Sequence, residues 1–204
     1  MEIIEIKEEV RKLKTLGIIT TTYNRYYCIH QVYESLIKQR NKDFMWLVID
    51  DGSTDNTAEL IQKYIDENVI EIEYIYQDNM GMTAARNLGY ENIKTEINTI
   101  IDSDDWMEEN AVDLIINYWN ANKNDSVAGI IALNRKIDGD LKGTKLPTGV
   151  KQCTFTDLHE KYKCNGDKKL IYRSDISKQY PYPKFENEKS FPASYKFRKI
   201  DLDY

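Results

Sequence analysis

The sequence predicts an α/β domain with a mostly parallel central sheet and helices on both of its faces. Short apolar runs rich in β-branched residues alternate along the chain with segments whose apolar residues recur at helical spacing. Such alternation is typical of βαβ units. Several apolar runs also end abruptly in polar residues, as expected where the carboxyl ends of parallel strands form a ligand-binding edge.

The first half of the chain shows this alternation most clearly. Apolar residues at helical spacing in 2–14 predict an amphipathic helix that lies on the domain. Asn56, with Glu59 three positions later, is expected to cap a helix. The predicted elements that follow residue 15 are a strand at 16–21, a helix at 29–37, a strand at 44–49, a helix from 57, a strand at 70–77, a helix at 83–90, a strand at 97–101, a helix at 111–119 and a strand at 127–137.

After residue 137 the sequence changes in character. Residues 142–151 are basic and poor in large apolar side chains. A short helix over 155–162, capped by Thr154 or Thr156, and a short strand at 170–172 are predicted next. The tail from Tyr180 to Tyr204 contains three prolines and several aromatic residues, and we interpret it as a lid or covering segment.

Composition limits the classes of function. The chain has 204 residues, enough for one substantial domain. Its net charge of −6 argues against binding to a nucleic-acid backbone. No apolar stretch approaches the roughly 20 residues of a membrane span, and the amino terminus lacks the layout of a signal peptide. The three cysteines show no CxxC spacing, which suits a reducing cytosol, and a zinc site at Cys153, His159 and Cys164 lacks a fourth ligand at suitable spacing.

The most informative segment is the apolar run that ends in Asp102-Ser103-Asp104-Asp105. Residues two apart in extended chain point the same way, so Asp102 and Asp104 can face one point beyond the sheet. Two converging carboxylates repel each other unless a cation or a polyhydroxyl ligand lies between them. Oxygen ligands favour magnesium, calcium or manganese. An acidic cluster of this kind also suits a solvated loop or a helix cap.

Three polar clusters follow the first, second and fourth predicted strands, at 21–24, 50–53 and 102–104. In a parallel sheet these strand ends lie along one edge, where ligands bind. We therefore predict a ligand site at this edge. An alternative for Asp50 and Asp51 is that they cap the positive end of the next helix.

The motifs together resemble the family 2 glycosyltransferases, which have the GT-A fold. They are Thr-Tyr-Asn-Arg at 22–25, Asp-Asp-Gly-Ser-Thr-Asp at 50–55, Gln-Asp-Asn-x-Gly-x-x-x-Ala-Arg-Asn at 77–87 and Asp-Ser-Asp-Asp at 102–105. The resemblance is strong over 16–106 and extends faintly to 185–201. It implies one glycosyltransferase domain over 1–204, with an amino-terminal helix at 1–15, a nucleotide-sugar-binding core at 16–137 and an acceptor-side or lid segment at 138–204.

The resemblance also implies a role for individual residues on the nucleotide side. Thr21 and Tyr23 match positions that line the base, and Asp51 matches a carboxylate that accepts from the uracil imide. Arg86 matches an arginine near the nucleotide.

The remaining implied roles concern the diphosphate, the metal and the acceptor. Asp102 matches the first acid of the DxD motif, at the ribose or the metal. Asp104 matches the catalytic acid that binds the metal on the diphosphate, and Asp105 is the alternative to it. Ser103, between Asp102 and Asp104, is assigned to the donor site. Glu188 matches the catalytic base, with Glu186 as the alternative.

The expected activity is therefore inverting transfer of a sugar from a UDP-sugar to an acceptor hydroxyl, with Mn²⁺ or Mg²⁺ on the diphosphate. Polysaccharide or glycoconjugate synthesis is the expected setting, in the cytoplasm or peripherally at a membrane. A non-catalytic nucleotide-sugar-binding module is the alternative, since Ser190 and Ala193 replace the aromatic residue and second acid of related sequences. A phosphotransferase of the haloacid-dehalogenase type is a weaker alternative, because Asp105-Trp106 follows Asp104 where that family has threonine or valine.

Overall fold

The computed structural model describes residues 13–136, 138–183 and 191–204. Strands and helices alternate through most of this part of the chain. The strands are β1 (Leu16–Thr22), β2 (Phe44–Asp50), β3 (Glu71–Tyr76), β4 (Ile97–Ile100), β5 (Gly129–Arg135), β6 (Leu141–Lys142) and β7 (Lys168–Arg173). The helices are α1 (His30–Ile37), α2 (Thr57–Glu67), α3 (Met82–Asn92), α4 (Ala111–Asn122), α5 (Phe155–Glu160), α6 (Ser174–Gln179) and α7 (Ser194–Ile200).

The described strands form one seven-stranded sheet in the order β3-β2-β1-β4-β7-β5-β6. The pairings of β3 with β2, β2 with β1 and β1 with β4 are parallel. β7 is antiparallel to both β4 and β5. The sheet is thus mixed, and its parallel half contains the strands that are followed by the polar motifs.

Alternating side chains place a core on each face of the sheet, as the period of two in a strand requires. In β2, Phe44, Trp46 and Val48 join the cluster beneath α1, α2 and α4. The intervening Met45, Leu47 and Ile49 join the cluster beneath α3. This arrangement confirms the predicted α/β fold with helices on both faces.

The carboxyl-terminal segment contributes to the sheet and to the core. β7 lies between β4 and β5, and its Ile171 packs in the first core. Tyr172, Phe197 and Ile200 form a third cluster with residues of α5 and α6. The sequence predicts no helix at 174–179 or 194–200, because short helices that are stabilised by tertiary packing show little periodicity of their own.

Two helix caps test the local predictions. Thr154 caps α5 as expected, since its side chain accepts from the Asp157 amide. The prediction for Asn56 is wrong: its side chain makes no capping bond, and the Asp55 carboxylate instead accepts from the amide and hydroxyl of Thr57. The predicted amino-terminal helix falls almost wholly on residues 1–12, outside the described ranges. Within those ranges, no helix is long and apolar enough to cross a membrane.

Candidate functional site

The carboxyl ends of β1, β2 and β4 lie side by side because these strands are parallel. Thr22 pairs with Asp50, and Ile19 pairs with Ile100, so the three strands reach the same edge. The segment after each strand is polar, as predicted. The edge therefore brings together the 21–25, 50–55 and 102–105 motifs.

The 102–105 segment forms a tight turn at this edge. The Asp105 amide donates to the Asp102 carbonyl at 3.0 Å, and Ser103 is buried. Asp102, Asp104 and Asp105 are exposed. Their carboxylates are thus available to a ligand.

Arg86 approaches the acidic turn from α3. Its Nη2 donates to Asp102 Oδ1 at 3.3 Å, and its side chain is only 15% exposed, whereas that of Asp102 is 58% exposed. The Arg86 Nε is buried and has no hydrogen-bond partner within the described part of the chain. A guanidinium held in this way can bind an anion at the edge.

Three further cations interact with the acidic turn, and the sequence predicts none of them as a site residue. Burial lowers the pKa of Lys169 on β7, while the charges of Asp105 and Asp102 raise it. Burial raises the pKa of Asp105, and the charges of Lys169 and Lys142 lower it. Arg25 interacts electrostatically with Asp104. The turn is therefore a mixed site of carboxylates and cations.

The loops after β1 and β2 are fastened to each other. Asn24 adopts a positive φ of 53°, and its side-chain oxygen accepts from the Thr54 amide at 2.7 Å and the Asp55 amide at 3.3 Å. In return, Ser53 Oγ accepts from the Asn24 amide at 2.8 Å. The polar residues of both motifs therefore form a clamp of hydrogen bonds between the two loops. This clamp shapes the edge beside the acidic turn.

Asp51 has a different setting from the acidic turn. It is only 4% exposed, and its carboxylate accepts from Gln77 Nε2 at 2.6 Å and from the amides of Met80 and Gly81, both at 2.8 Å. Asp51 thus holds the loop that leads into α3. Three of its acceptor positions are thus occupied by this loop.

The helix-capping alternative for Asp50 and Asp51 is not supported. Asp50 is fully buried and accepts from the Ser53 amide and the Tyr74 hydroxyl. The bonds of Asp51 go to the loop before α3, and the residue that bonds the start of α2 is Asp55. The two carboxylates therefore organise the edge.

The other residues predicted for the site differ in exposure, and two of them lie outside the described part of the chain. Thr21 is partly buried at the end of β1, and Tyr23 is 48% exposed in the loop that follows. Tyr23 therefore presents an aromatic ring on which a base can stack. Glu186 and Glu188 lie outside the described residues.

His159 Nδ1 pairs with the Cys164 carbonyl at 3.0 Å, and the three cysteines are free.

The donor set of the acidic turn fits a hard divalent cation. In the described ranges no three histidine, cysteine, aspartate or glutamate side chains converge on one point, so a cation would take only one or two carboxylates from the protein. Magnesium is commonly held in nucleotide sites by one or two carboxylates, with substrate phosphates and waters completing its shell. Asp102 and Asp104 supply this type of ligand, and Arg86 bonds only one of the two Asp102 carboxylate oxygens.

Comparison with known proteins identifies relatives of the chain. The model of glycosyl transferase family 2 matches residues 17–180. Glycosyltransferase GlyA of Streptococcus pneumoniae is 36% identical over 100 residues, which are 49% of this chain and 14% of that protein. The poly(ribitol-phosphate) beta-N-acetylglucosaminyltransferase TarP of Staphylococcus aureus is 28% identical over 142 residues, 68% of this chain and 41% of that protein. The chain thus spans less than half the length of either relative.

Solved structures share the fold. Residues 1–349 of S. aureus TarS in complex with UDP superpose with a TM-score of 0.69 at 23% identity, over 92% of this chain and 55% of that one. The mannosyltransferase PcManGT from Pyrobaculum calidifontis, in complex with GDP-Man and Mn²⁺, gives a TM-score of 0.63 at 14% identity, over 91% of this chain and 51% of that one.

Proposed function

Because the chain belongs to glycosyl transferase family 2, we propose that it is an inverting glycosyltransferase that moves a sugar from a UDP-sugar to an acceptor hydroxyl. The observation that carries the proposal is the bond between Arg86 and Asp102 of the acidic turn at the sheet edge, beside the clamp between Asn24 and residues 53–55. The family assignment also removes the haloacid-dehalogenase alternative, whose fold family differs.

The edge offers a separate place for each part of the donor. Tyr23 and Thr21, with the Asp51 carboxylate that the family resemblance assigns to the imide, suit the uracil base. Arg86 suits the diphosphate, because a guanidinium binds phosphate oxygens with paired hydrogen bonds. The complexes of TarS with UDP and with UDP-GlcNAc support a uridine donor.

Asp102 and Asp104 would hold Mn²⁺ or Mg²⁺ against the diphosphate, with Asp105 as the alternative to Asp104. When bound, such an ion supplies Lewis-acid stabilisation of the negative charge that develops on the leaving diphosphate. The Mn²⁺ complex of PcManGT supports the use of a divalent ion. The arginine adds positive charge on the same side and orients the phosphates through its buried guanidinium.

Glu188 is proposed as the base that takes the proton from the acceptor hydroxyl, with Glu186 as the alternative. Direct displacement requires the base and the diphosphate to lie on opposite sides of the reacting carbon. The acceptor is proposed to belong to a polysaccharide or glycoconjugate, by analogy with TarP, a poly(ribitol-phosphate) beta-N-acetylglucosaminyltransferase.

The test is calorimetric titration of UDP, with and without Mn²⁺, into the wild type, Asp104→Ala and Asp125→Ala. Asp125 is an exposed acid in the turn between α4 and β5, at the opposite end of the sheet, and serves as the matched control. We expect Mn²⁺-dependent binding in the wild type and the control and its loss in Asp104→Ala. Absence of UDP binding to the folded wild type under both conditions would refute the proposed donor site.

A second measurement separates the enzyme from the non-catalytic binding module. A panel of UDP-sugars is incubated with the wild type and Mn²⁺, and released UDP is followed with and without candidate saccharide acceptors. Acceptor-dependent release supports the transferase. UDP-sugar binding without any release across the panel supports the module that Ser190 and Ala193 suggest.

A further inference from the structure

Lys169 is placed at the acidic turn by strand pairing. β7 runs antiparallel to β4, with Thr99 opposite Ile171, so the first residues of β7 lie beside the carboxyl end of β4. Lys169 Nζ donates to the carbonyl of Ile100 at 2.9 Å. Ile100 is the last residue of β4 and lies two residues before Asp102. The ammonium is thus tied to the base of the acidic turn.

The ammonium has two further hydrogens after the bond to Ile100. Among the neighbouring acids, Asp105 and Asp102 have the largest effect on the pKa of Lys169, and both raise it. The guanidinium of Arg86, which donates to Asp102, lowers it. Lys169 is partly buried, so solvent screens its charge less than that of an exposed lysine.

The neighbouring Lys168 provides a natural comparison. Its Nζ donates to the carbonyls of Asn165 and Gly166, in the loop before β7. Adjacent residues of a strand point to opposite sides. Lys168 therefore matches Lys169 in charge, size and strand. Of the two, Lys169 is the one that interacts with the acidic turn.

We propose that Lys169 is a positioning residue of the donor site, whose fixed positive charge compensates Asp105 and so leaves Asp102 and Asp104 to the divalent cation. The proposal deepens the proposed function, on which it rests. Without this charge the turn carries one more uncompensated negative charge. Such a site attracts a cation more strongly and repels a diphosphate anion. The ammonium therefore sets the balance between metal and nucleotide.

The experiment measures two affinities separately in Lys169→Met, Lys169→Gln, Lys169→Arg and the control Lys168→Met. Calorimetry gives the affinity for Mn²⁺ alone, and for UDP in metal-free buffer and at saturating Mn²⁺. Circular dichroism and thermal melting establish that each variant is folded. Glutamine retains a donor for the Ile100 carbonyl without the charge, and arginine retains both.

The expected result is a pair of opposite changes. In Lys169→Met and Lys169→Gln, UDP affinity at saturating Mn²⁺ falls roughly fivefold or more, while affinity for Mn²⁺ alone rises. Lys169→Arg and Lys168→Met resemble the wild type. Recovery of UDP affinity in Lys169→Gln would show a hydrogen-bonding role and overturn the proposal, as would equal weakening of both affinities. Failure of the wild type to bind UDP would instead count against the proposed function.

Discussion

The carboxamide of Asn87 forms two hydrogen bonds with the backbone of Tyr182, 95 residues later in the chain. Its Nδ2 donates to the Tyr182 carbonyl at 2.9 Å, and its Oδ1 accepts from the Tyr182 amide at 2.8 Å. Asn87 follows Arg86 on α3, and Tyr182 precedes the segment that contains Glu188. One side chain therefore joins the donor side of the site to the tail.

The first prediction concerns this junction. Asn87→Ala leaves the amide and carbonyl of the buried Tyr182 without partners, and we expect the free energy of unfolding to fall by about 1–3 kcal/mol. Urea unfolding measures the change. Asn92→Ala, which removes only a bond to Leu88 in the same helix, is the control and should cost less. A loss no larger than that of the control would show that the junction contributes little.

The second prediction concerns Gly89, where helix propensity and packing disagree. A Cβ at Gly89 would lie 2.6 Å from Ile19 Cγ2 and 3.4 Å from Ile49 Cγ1. Gly89→Ala should therefore lower stability by about 1–3 kcal/mol through overpacking, although propensity alone favours alanine by about 1 kcal/mol. Thermal or urea unfolding gives the sign, with Glu91→Ala at an exposed position of α3 as the control. Stabilisation by Gly89→Ala would show that α3 shifts freely on β1.

The third prediction concerns a buried lysine. Lys196 is fully buried, donates to the carbonyls of Ser177 and Tyr180, and lies 3.8 Å from the centroid of the Tyr90 ring. Burial lowers its pKa to about 7. Because the pKa in the folded state lies below the unfolded value, the unfolded chain binds more protons above pH 7. This lysine therefore makes stability rise with pH between about 7 and 10.

Lys196→Met should remove that dependence. The slope from one such group is at most about 1.4 kcal/mol per pH unit, and urea unfolding of the wild type and the variant from pH 6 to 9 measures it. Lys199→Met, at an exposed position of the same helix, should keep the slope of the wild type. Parallel stability curves for the wild type and Lys196→Met would contradict the lowered pKa.

The fourth prediction concerns the proposed base. Glu188→Gln should abolish sugar transfer while UDP affinity stays within about twofold of the wild type, because a base acts on the acceptor and contributes little to nucleotide binding. Glu186→Gln is the matched comparison and should retain activity. Transfer rates and UDP titration are measured on the same preparations. If Glu186→Gln loses transfer and Glu188→Gln retains it, the assignment of the two residues is reversed.

The sequence by itself determined the strands that end in polar motifs and the edge at which those motifs meet. These features follow from local patterns, since a period of two or 3.6 and a polar residue at a strand end can be read in one segment. Asp102 and Asp104 were identified in this way and Arg86 through the family resemblance, and the structure pairs Arg86 with Asp102. Local reading failed at Asn56, where the neighbouring Asp55 caps the helix instead.

Only the tertiary structure decided which distant segments lie together. The insertion of β7 between β4 and β5 places Lys169 beside the acidic turn, and the folding of the tail over α3 places Tyr182 against Asn87. Neither contact has a local signal, because the partner of a strand or of a side-chain amide is chosen by packing across many residues. The residues that balance charge at the site and join its two sides were therefore visible only in the fold.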